Sequence, residues 1–385
     1  MDALMLPLNW QRVRLEDVGK PCMCKRVMKH QTTRYGEIPF YKIGTFGNTA
    51  DAFISKKLFL EYKTKYSFPK KGDILISASG TIGRAVIYDG KPAYFQDSNI
   101  VWVDNDETLV KNDFLFYAYS NIKWNTEHTT ILRLYNDNFR NTLIPLPPLN
   151  EQIAIANVLS NVDRYLYSLD ALILKKESVK KALSFELLSQ RKRLKGFNQA
   201  WQRVRLGDIA NYLTSNLSAE QITQQGKIKV YDVNNFIGYT DTTFISDKPY
   251  ISIVKDGSVG RVRILPPKTN ILSTMGALIA NHKTTTEFLF YLLSNFDFKN
   301  FTSGSIIPHI YFKDYKEKTI FLPPLNEQIA IANILSVLDH EIISLKNKKR
   351  QFENIKKALN HDLMSAKIRV LKKINAPKSQ GQTRL

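Results

Sequence analysis

The sequence predicts a mixed α/β protein in which one module occurs twice, each copy being a globular domain followed by a long helix. Three observations support this fold class. Four segments recur in the same order, short alternating patterns with glycine turns fill the stretches between them, and a heptad pattern follows each of two proline pairs. With 385 residues, the chain is long enough for two domains that each bury a core.

The repeat consists of closely matching frame segments separated by dissimilar stretches. WQRVRLEDV at residues 10–18 returns as WQRVRLGDI at 201–209, and GTIGRAVI at 80–87 returns as GSVGRVRI at 257–264. FLFYAYSN at 114–121 returns as FLFYLLSN at 288–295, and LPPLNEQIAIAN at 146–157 recurs unchanged at 322–333. The stretches 19–79 and 210–256 share little, and the second is shorter. One scaffold that carries two different variable surfaces is therefore predicted.

The proline pairs set the predicted boundaries, because proline keeps the residue before it out of the helical region. We expect a first domain over residues 1–149, a first long helix over 150–195, a second domain over 196–325, a second long helix over 326–372, and a basic, disordered tail over 373–385. Asn150 and Asn326 are suited to cap the two helices, and an acid follows each of them.

Each long helix carries apolar residues at alternating spacings of four and three over about five heptads, as in a coiled coil. Such a helix cannot leave its apolar stripe in water, and the nearest partner is the other copy. We therefore expect an antiparallel coiled coil that relates the two halves by pseudo-twofold symmetry. Two lysines late in each helix interrupt the apolar seam and indicate looser packing there. They are Lys176 and Lys180 in the first helix and Lys349 and Lys356 in the second.

Composition favours a polyanionic partner. The formal net charge is +20 and the pI is near 9.7, which points first to nucleic acid and otherwise to a solvated basic surface. No apolar run approaches the roughly 20 residues of a membrane span, and the first residues lack a signal-peptide pattern. With only Cys22 and Cys24 as cysteines, a reducing cytoplasm is the expected location.

The sequence contains no catalytic or metal-binding constellation that we recognise. It lacks a Walker A loop, an HExxH motif and the proline-containing motif of amino-methyltransferases. Cys22, Cys24 and His30 form a string without the second pair of ligands that a zinc site needs. We therefore predict no catalytic residue, no metal site and no cofactor in this chain.

Basic residues interleaved with aromatic residues mark candidate DNA contacts, since Arg and Lys neutralise phosphates and Arg also recognises base edges. For any one residue the alternative is a solvated basic face. The candidates are Lys25, Arg26, Lys29, Arg34, Tyr35, Arg84, Arg133 and Arg140 in the first domain, and Lys227, Lys229, Arg261, Arg263, Lys268, His309 and Lys313 in the second.

The doubled order of these motifs resembles the specificity subunit of type I restriction-modification systems. A variable domain, a Gly-Thr-Ile-Gly segment, and a proline pair leading into Leu-Asn-Glu-Gln and a long helix cover almost the whole chain. The resemblance implies that each variable part is a target recognition domain for one half of an asymmetric, split site in double-stranded DNA. It also implies that the paired helices set the spacing between the half-sites.

The resemblance further implies partners and their cofactors. Two modification subunits, which methylate adenine with S-adenosylmethionine, would dock on the helices and their flanks, and restriction subunits would use ATP and Mg. The residues expected to bind a partner are Asn150, Glu151, Gln152, Asn326, Glu327 and Gln328. Two alternatives stay open: the specificity subunit of a type II system with a fused nuclease-methylase, and a coiled-coil adaptor without DNA specificity.

Overall fold

The computed structural model describes residues 7–125, 127–128, 132–134 and 136–371, so the predicted tail over 373–385 lies outside the described residues. The chain divides into two compact units. The first comprises residues 1–168 and 349–385, and the second comprises residues 169–348. Each unit therefore contains one globular domain, the start of the long helix that follows it and the end of the other long helix.

The first unit is a mixed α/β domain with eleven short strands among its described residues. The strands are β1 (Gln11–Arg14), β2 (Lys20–Met23), β3 (Ile38–Tyr41), β4 (Phe53–Ile54), β5 (Ile74–Ser77), β6 (Ala85–Ile87), β7 (Tyr94–Phe95), β8 (Ile100–Asp104), β9 (Glu127–His128), β10 (Leu132–Arg133) and β11 (Leu143–Leu146). They form sheets of order β2-β8-β5-β6 and β4-β3-β7, and the pairs β1-β11 and β9-β10. The helices that begin in this part of the chain are α1 (Leu15–Val18), α2 (Lys56–Lys65), α3 (Asn112–Tyr119), α4 (Asn136–Arg140) and α5 (Leu149–Leu188), which continues into the second unit.

The second unit repeats this strand order. Its strands are β12 (Gln202–Arg205), β13 (Ala210–Thr214), β14 (Ile228–Tyr231), β15 (Phe236–Thr240), β16 (Tyr250–Val254), β17 (Val262–Leu265), β18 (Thr269–Ile271), β19 (Met275–Ala280), β20 (Thr302–Ser303), β21 (His309–Ile310) and β22 (Thr319–Leu322). They form sheets β13-β19-β16-β17 and β15-β14-β18, and the pairs β12-β22 and β20-β21. The helices that begin here are α6 (Thr286–Ser294), α7 (Phe312–Tyr315) and α8 (Leu325–Met364), which continues into the first unit.

The shorter second copy keeps the sheets but has no counterpart of α2, and a 3-10 turn over Leu206–Asp208 takes the place of α1. In the first unit α2 follows β4, and it is capped by Ser55, whose side chain accepts a hydrogen bond from the Leu58 N–H at 3.2 Å. Residues 241–249, at the same place in the second unit, form a loop. The two variable surfaces are thus built on one strand order, and the length difference lies in an element at the surface of the sheet.

Each domain core is closed by the ends of both long helices. Ile155 and Leu159, early in α5, are buried with Leu363 and Met364 from the end of α8 in the core of the first unit. In the second unit, Ile331 and Leu335 from the start of α8 share a core with Leu187 from the end of α5. The apolar stripes that the heptad pattern revealed are thus buried in the domains as well as between the helices.

Within each unit the two helices run antiparallel, as their contacts show. In the second unit Lys176 pairs with Glu341, whereas Lys180, further along α5, pairs with Asp339, which precedes Glu341 in α8. Both helices span 40 residues and end earlier than predicted, at Leu188 and Met364 rather than at residues 195 and 372. They also begin one residue earlier, so Asn150 and Asn326 lie in the first turn and not at the cap.

Lys180 and Lys356 do not mark loose packing, which corrects the prediction made for these two of the four seam lysines. Lys356 lies 2.5 Å from Asp163 Oδ1, and the Tyr117 hydroxyl donates to the other oxygen of that carboxylate at 2.8 Å. The second unit repeats this arrangement with Lys180, Asp339 and Tyr291. We call these two sets the Tyr-Asp-Lys contacts. Each set joins the end of one long helix and the start of the other to a short helix, which is α3 in the first unit and α6 in the second.

The described helices include one, α8, that by length and composition alone could cross a membrane, with a mean hydropathy of 1.3 over an 18-residue window. This differs from the expectation that no segment approaches that length. Of this window 28% is buried, and the buried residues Ile331 and Leu335 lie in the core of the second unit.

Candidate nucleic-acid interface

A glycine turn joins β5 to β6 in the first unit and β16 to β17 in the second, and each requires glycine for two reasons. The φ angles are +64° and +81° at Gly80 and Gly83, and +81° and +79° at Gly257 and Gly260, a region that disfavours other residues. In addition, a Cβ on Gly83 would lie 2.1 Å from the Trp124 indole nitrogen, and one on Gly260 would lie 2.5 Å from the Phe298 ring. Both turns therefore rest directly on an aromatic ring.

An exposed arginine follows the second glycine of each turn and is oriented by an asparagine. Arg261 Nη2 donates to Asn234 Oδ1 at 2.8 Å. In the first unit Arg84 Nη2 reaches Asn48 Oδ1 at 3.5 Å and the Gly47 carbonyl at 3.4 Å, a looser version of the same contact. The acceptors lie in the loops after β3 and β14. Each guanidinium thus contacts one of these loops through Nη2, and its other N–H groups are further donors that a ligand could accept from.

In the second unit, four predicted residues come together around this turn. Arg263 donates to the Asn234 carbonyl at 2.9 Å and lies 5.3 Å from the Tyr231 ring centroid. His309 lies 2.7 Å from Asp256, the residue before the turn, and stacks on the Tyr311 ring. The Lys313 amine is 5.5 Å from the same ring. Arg261, Arg263, His309 and Lys313 therefore form one basic and aromatic surface, the second-unit turn surface.

The other three candidates of the second unit lie on β14 or just before β14 and β18. β14 and β18 are parallel, with Lys229 opposite Thr269 and Tyr231 opposite Ile271. Lys227 and Lys268 precede these two strands, so they lie at the end of the sheet away from Tyr231. All three lysines are exposed. The structure thus places Lys227 and Lys268 away from the turn surface, whereas Lys229 lies two residues before Tyr231 on β14.

The candidates of the first unit spread over a wider area. Arg26 and Lys29 line an open cleft with Gln96 and Asn99, and Arg26 is paired with Asp97 at 2.8 Å. Asn99 accepts a hydrogen bond from Ser79, next to the glycine turn, at 2.8 Å, and this contact links the lining of the cleft to the turn. We call this region, with Arg84, the first-unit turn surface.

The remaining candidates of the first unit have no contact with this surface among the described side chains. The Lys25 amine lies 5.1 Å from the Tyr66 ring centroid. Arg34 and Tyr35 are exposed in the turn before β3, and Arg140 is exposed at the end of α4. The side chain of Arg133 lies outside what the structure describes.

The glutamates of the repeated Asn-Glu-Gln segment are buried at 2% and 0% exposure and hold two groups each. Glu151 accepts from the Trp10 indole at 3.1 Å and from Arg369 at 2.5 and 2.7 Å. Glu327 accepts from the Trp201 indole at 3.0 Å and from Arg193 at 3.1 and 2.6 Å. Each arginine follows the end of the other long helix. We call these two sites the carboxylate clasps.

The side chains of Gln152 and Gln328 likewise form hydrogen bonds within their own units. Gln328 accepts from Thr284 Oγ1 at 2.8 Å and donates to the Pro323 carbonyl at 2.8 Å. Gln152 accepts from the Lys111 N–H and donates to the Pro147 carbonyl, both at 2.8 Å. These contacts and the clasps correct the expectation of direct partner contact for Glu151, Gln152, Glu327 and Gln328. Of the six predicted residues only Asn150 and Asn326 are exposed.

The exposed residues of the repeated segment lie on a single face. Successive helical residues are 100° apart, so Leu149, Asn150, Ile153 and Asn157 fall within an arc of about 100° of α5. All four are exposed, and so are their identical counterparts in α8, Leu325, Asn326, Ile329 and Asn333. Leu149 and Ile153 are 39% and 46% exposed, and Leu325 and Ile329 are 45% and 49% exposed. We call this pair of surfaces the repeated face.

Sequence reasoning missed several residues of these surfaces. Trp124 and Phe298, which support the glycine turns, are both aromatic residues at an offset of 174, the same as the FLFY segments, so this signal was available. Asn48 and Asn234 stand in dissimilar loops, and nothing in the sequence singles them out. The same is true of Asp256, the partner of His309.

Among the described residues, no group of three or more His, Cys, Asp or Glu is placed to hold a metal ion. Cys24 is buried, and burial raises the pKa of its thiol to about 12, so it is a poor nucleophile. Cys22 is partly exposed, and burial also raises the pKa of its thiol.

Comparison with known proteins identifies the repeated module. The profile of the family described as type I restriction modification DNA specificity domain matches the chain twice, over residues 7–176 and 198–354. A putative type I restriction enzyme specificity subunit of Haemophilus influenzae is 60% identical over 152 residues, 39% of this chain and 40% of that protein. The putative MjaX specificity subunit of Methanocaldococcus jannaschii is 28% identical over 95% of both chains.

Solved structures share the fold over nearly the full length. The S subunit of a type I restriction-modification system from M. genitalium has a TM-score of 0.62 at 20% identity, covering 93% of this chain and 98% of that chain. A chain from a structure of the type I restriction-modification system, solved to explain complex assembly and conformational transition, has a TM-score of 0.55 at 15% identity and covers 94% and 98%.

Proposed function

The chain belongs to the type I restriction-modification DNA specificity family, and we propose that each unit recognises one half of a split DNA site through its turn surface. The protein is a DNA-recognition subunit, a non-catalytic component of its system. The observation that carries the proposal is the repeated Arg-Asn contact. Arg84 and Arg261 follow equivalent glycine turns, are exposed, and are each directed by an asparagine from the variable loop after β3 or β14.

Arginine in this setting suits double-stranded DNA. Its planar fork of N–H donors matches the two acceptors of guanine in the major groove and also the oxygens of a phosphate. An arginine already held by Asn234 loses less side-chain freedom on binding than a free one. The aromatic residues Tyr231 and Tyr311 keep Arg263 and Lys313 oriented in the same region.

The two half-sites are expected to differ because the two turn surfaces differ. The first carries a cleft with Arg26, Lys29 and Gln96, whereas the second carries His309 and Tyr311 beside its turn. Hydrogen-bond donors and acceptors at base edges specify the sequence, so different side chains on one scaffold imply different bases. The recognised site is therefore asymmetric.

We further propose that two copies of one modification subunit dock on the repeated face. The four exposed residues of this face are the same in α5 and α8. Exposed positions that contact only water could differ between the two helices. Two like surfaces fit two like partners, and a mixed apolar and amide face is typical of protein interfaces. These partners would bring S-adenosylmethionine for adenine methylation, restriction subunits would bring ATP and Mg, and the assembly would act in the cytoplasm.

The DNA proposal is tested by methylome sequencing of a strain that carries the assembled system. Arg84→Ala is expected to weaken or relax recognition of one half-site and Arg261→Ala that of the other, by roughly 1–3 kcal/mol each. Arg205→Ala, which changes an exposed arginine paired with Glu317 away from the turns, is the control. If both turn variants methylate the full wild-type site at the wild-type rate, the assigned surface is wrong.

The docking proposal is tested by the stoichiometry of the purified complex. Ile153→Asp and Ile329→Asp are each expected to lower the number of bound modification subunits from two to one, since a charge at a buried interface is strongly unfavourable. Leu60→Asp, which changes a side chain 52% exposed on α2, is the matched control. Two bound subunits in the double variant would exclude the repeated face as the docking surface.

A further inference from the structure

The hairpin formed by β20 and β21 carries two exposed isoleucines at its tip. Thr302 pairs with Ile310 and Ser303 with His309, and Gly304 to Pro308 form the tip. Ile306 is 92% exposed and Ile307 is 55% exposed. Neighbouring apolar side chains that are this exposed are unfavourable in water, and a partner that covers them on binding removes this cost.

The tip has a defined shape. Gly304 has a φ of +90°, and a Cβ there would lie 2.3 Å from the Ile307 carbonyl oxygen, so the chain folds back tightly at this point. Two hydrogen bonds attach the base of the hairpin to the glycine turn. The Gly257 N–H donates to the Pro308 carbonyl and the Ile310 N–H to the Lys255 carbonyl, both at 2.9 Å. The isoleucines are therefore held at a fixed place beside the second-unit turn surface.

The neighbourhood of the tip selects the partner. His309 and Tyr311 directly follow it, Lys313 lies over Tyr311, and the turn to which it is attached carries Arg261. An apolar tip within a basic and aromatic surface matches duplex DNA, whose phosphates attract the cations while its stacked bases offer an apolar interior. Isoleucine is one of the side chains that proteins insert between base pairs in this way.

We propose that Ile306 and Ile307 form a wedge that inserts between two base pairs of the half-site recognised by the second unit. This inference rests on the proposed DNA-recognition function and adds a deformation of the DNA to it. The wedge unstacks one base step and bends the duplex there, so the second half-site is selected partly by how easily that step opens. The corresponding stretch of the first copy includes residues 129–131, which lie outside the described residues.

The test uses the complex assembled with its modification subunits and a duplex that contains the site found by methylome sequencing. 2-Aminopurine, which becomes brighter when unstacked, replaces in turn each adenine of the second half-site and its flanks, except the methylated one. We expect the wild-type complex to raise the fluorescence at least twofold at one step. Ile306→Ser with Ile307→Ser is expected to abolish that rise and to weaken specific binding about tenfold.

Two controls separate the possible results. Ile306→Met keeps an apolar tip and should retain the rise, and Phe244→Ser removes a side chain 40% exposed in another loop of the same unit and should change nothing. A wild-type complex that binds specifically without any fluorescence rise overturns the wedge but not the proposed function. Failure of the wild-type complex to bind any duplex specifically overturns both. Loss of modification subunits from the serine variant would show that the tip binds protein, which also overturns the wedge.

Discussion

The two units use the same contacts to join helix to domain but different contacts to join helix to helix. Both contain a carboxylate clasp and a set of Tyr-Asp-Lys contacts at equivalent positions. Where the helices meet, however, the first unit has Tyr165 packed on Phe352 with ring centroids 4.6 Å apart. The positions shifted by 176 residues in the second unit hold Glu341 and Lys176, whose charged atoms are 2.7 Å apart.

This difference shows which contacts the fold depends on. A half-exposed seam accepts either an aromatic pair or an ion pair, because both bring two long side chains together across the helices. The clasp admits no such exchange, since its carboxylate is buried and must satisfy an indole N–H and a guanidinium at once. Geometry and burial therefore constrain the helix-domain junction more than the helix-helix seam.

The largest expected effect is at the clasps, and equal effects in both units would confirm their equivalence. Glu151→Ala and Glu327→Ala each remove the charged partner of an arginine and leave a buried indole N–H without its acceptor, so each should cost about 3–5 kcal/mol of unfolding free energy. Urea denaturation followed by fluorescence measures this cost. Glu186→Ala, which removes an exposed carboxylate, should change stability by less than about 0.5 kcal/mol. A clasp variant as stable as this control would show that the clasp is not essential to its unit.

An intermediate effect is expected from the Tyr-Asp-Lys contacts. Asp163→Ala and Asp339→Ala remove the acceptor of a partly buried tyrosine hydroxyl and the partner of a lysine, which should cost about 1–3 kcal/mol. Burial, followed by the hydrogen bond to the aspartate, raises the pKa of Tyr117 and of Tyr291, so the hydroxyls remain protonated donors at neutral pH. In the double variant Lys180→Ala with Asp339→Ala, the two losses should not add. Strict additivity in denaturation would contradict a shared contact.

The smallest effect, and the one that distinguishes the units, is at the seam. A double-mutant cycle to alanine should give about 0.5–1.5 kcal/mol for Tyr165 with Phe352 and about 0.2–1 kcal/mol for Lys176 with Glu341. Because salt screens exposed charges, only the second coupling should weaken in 1 M NaCl. Equal salt dependence of the two couplings would remove the distinction between the units.

The repeated architecture could be predicted from the sequence because its signals are local or directly comparable. Proline pairs place the starts of α5 and α8 within one residue, and the shared segments predict two mixed α/β domains. The helix ends were less predictable. The two helices end at Leu188 and Met364, although basic residues continue for several positions beyond each end. No proline or early glycine interrupts either pattern.

The contacts between distant residues could not be predicted in this way. Periodicity marked Lys180 and Lys356 as faults in an apolar seam, since it records neither the aspartate nor the tyrosine opposite them. The pairing of Glu151 with Arg369 joins positions 218 residues apart, and only the folded chain brings them together. Likewise, composition drew attention to the basic residues but could not separate Arg261 and Lys313 from Lys227 and Lys268.

The clasps have a consequence for the connectivity of the chain. In the second unit a continuous segment leads from Arg193 to Trp201, and both side chains bind Glu327. In the first unit the same place is occupied by Arg369 and Trp10, which no described segment connects, and Arg369 Nη2 lies 3.4 Å from Asn9 Oδ1. Each clasp thus joins the same three kinds of side chain, but only in the second unit does one described segment run between the arginine and the tryptophan. A circular permutant, with a short linker from residue 371 to residue 7 and a new opening within residues 194–200, should therefore fold with every contact described above intact.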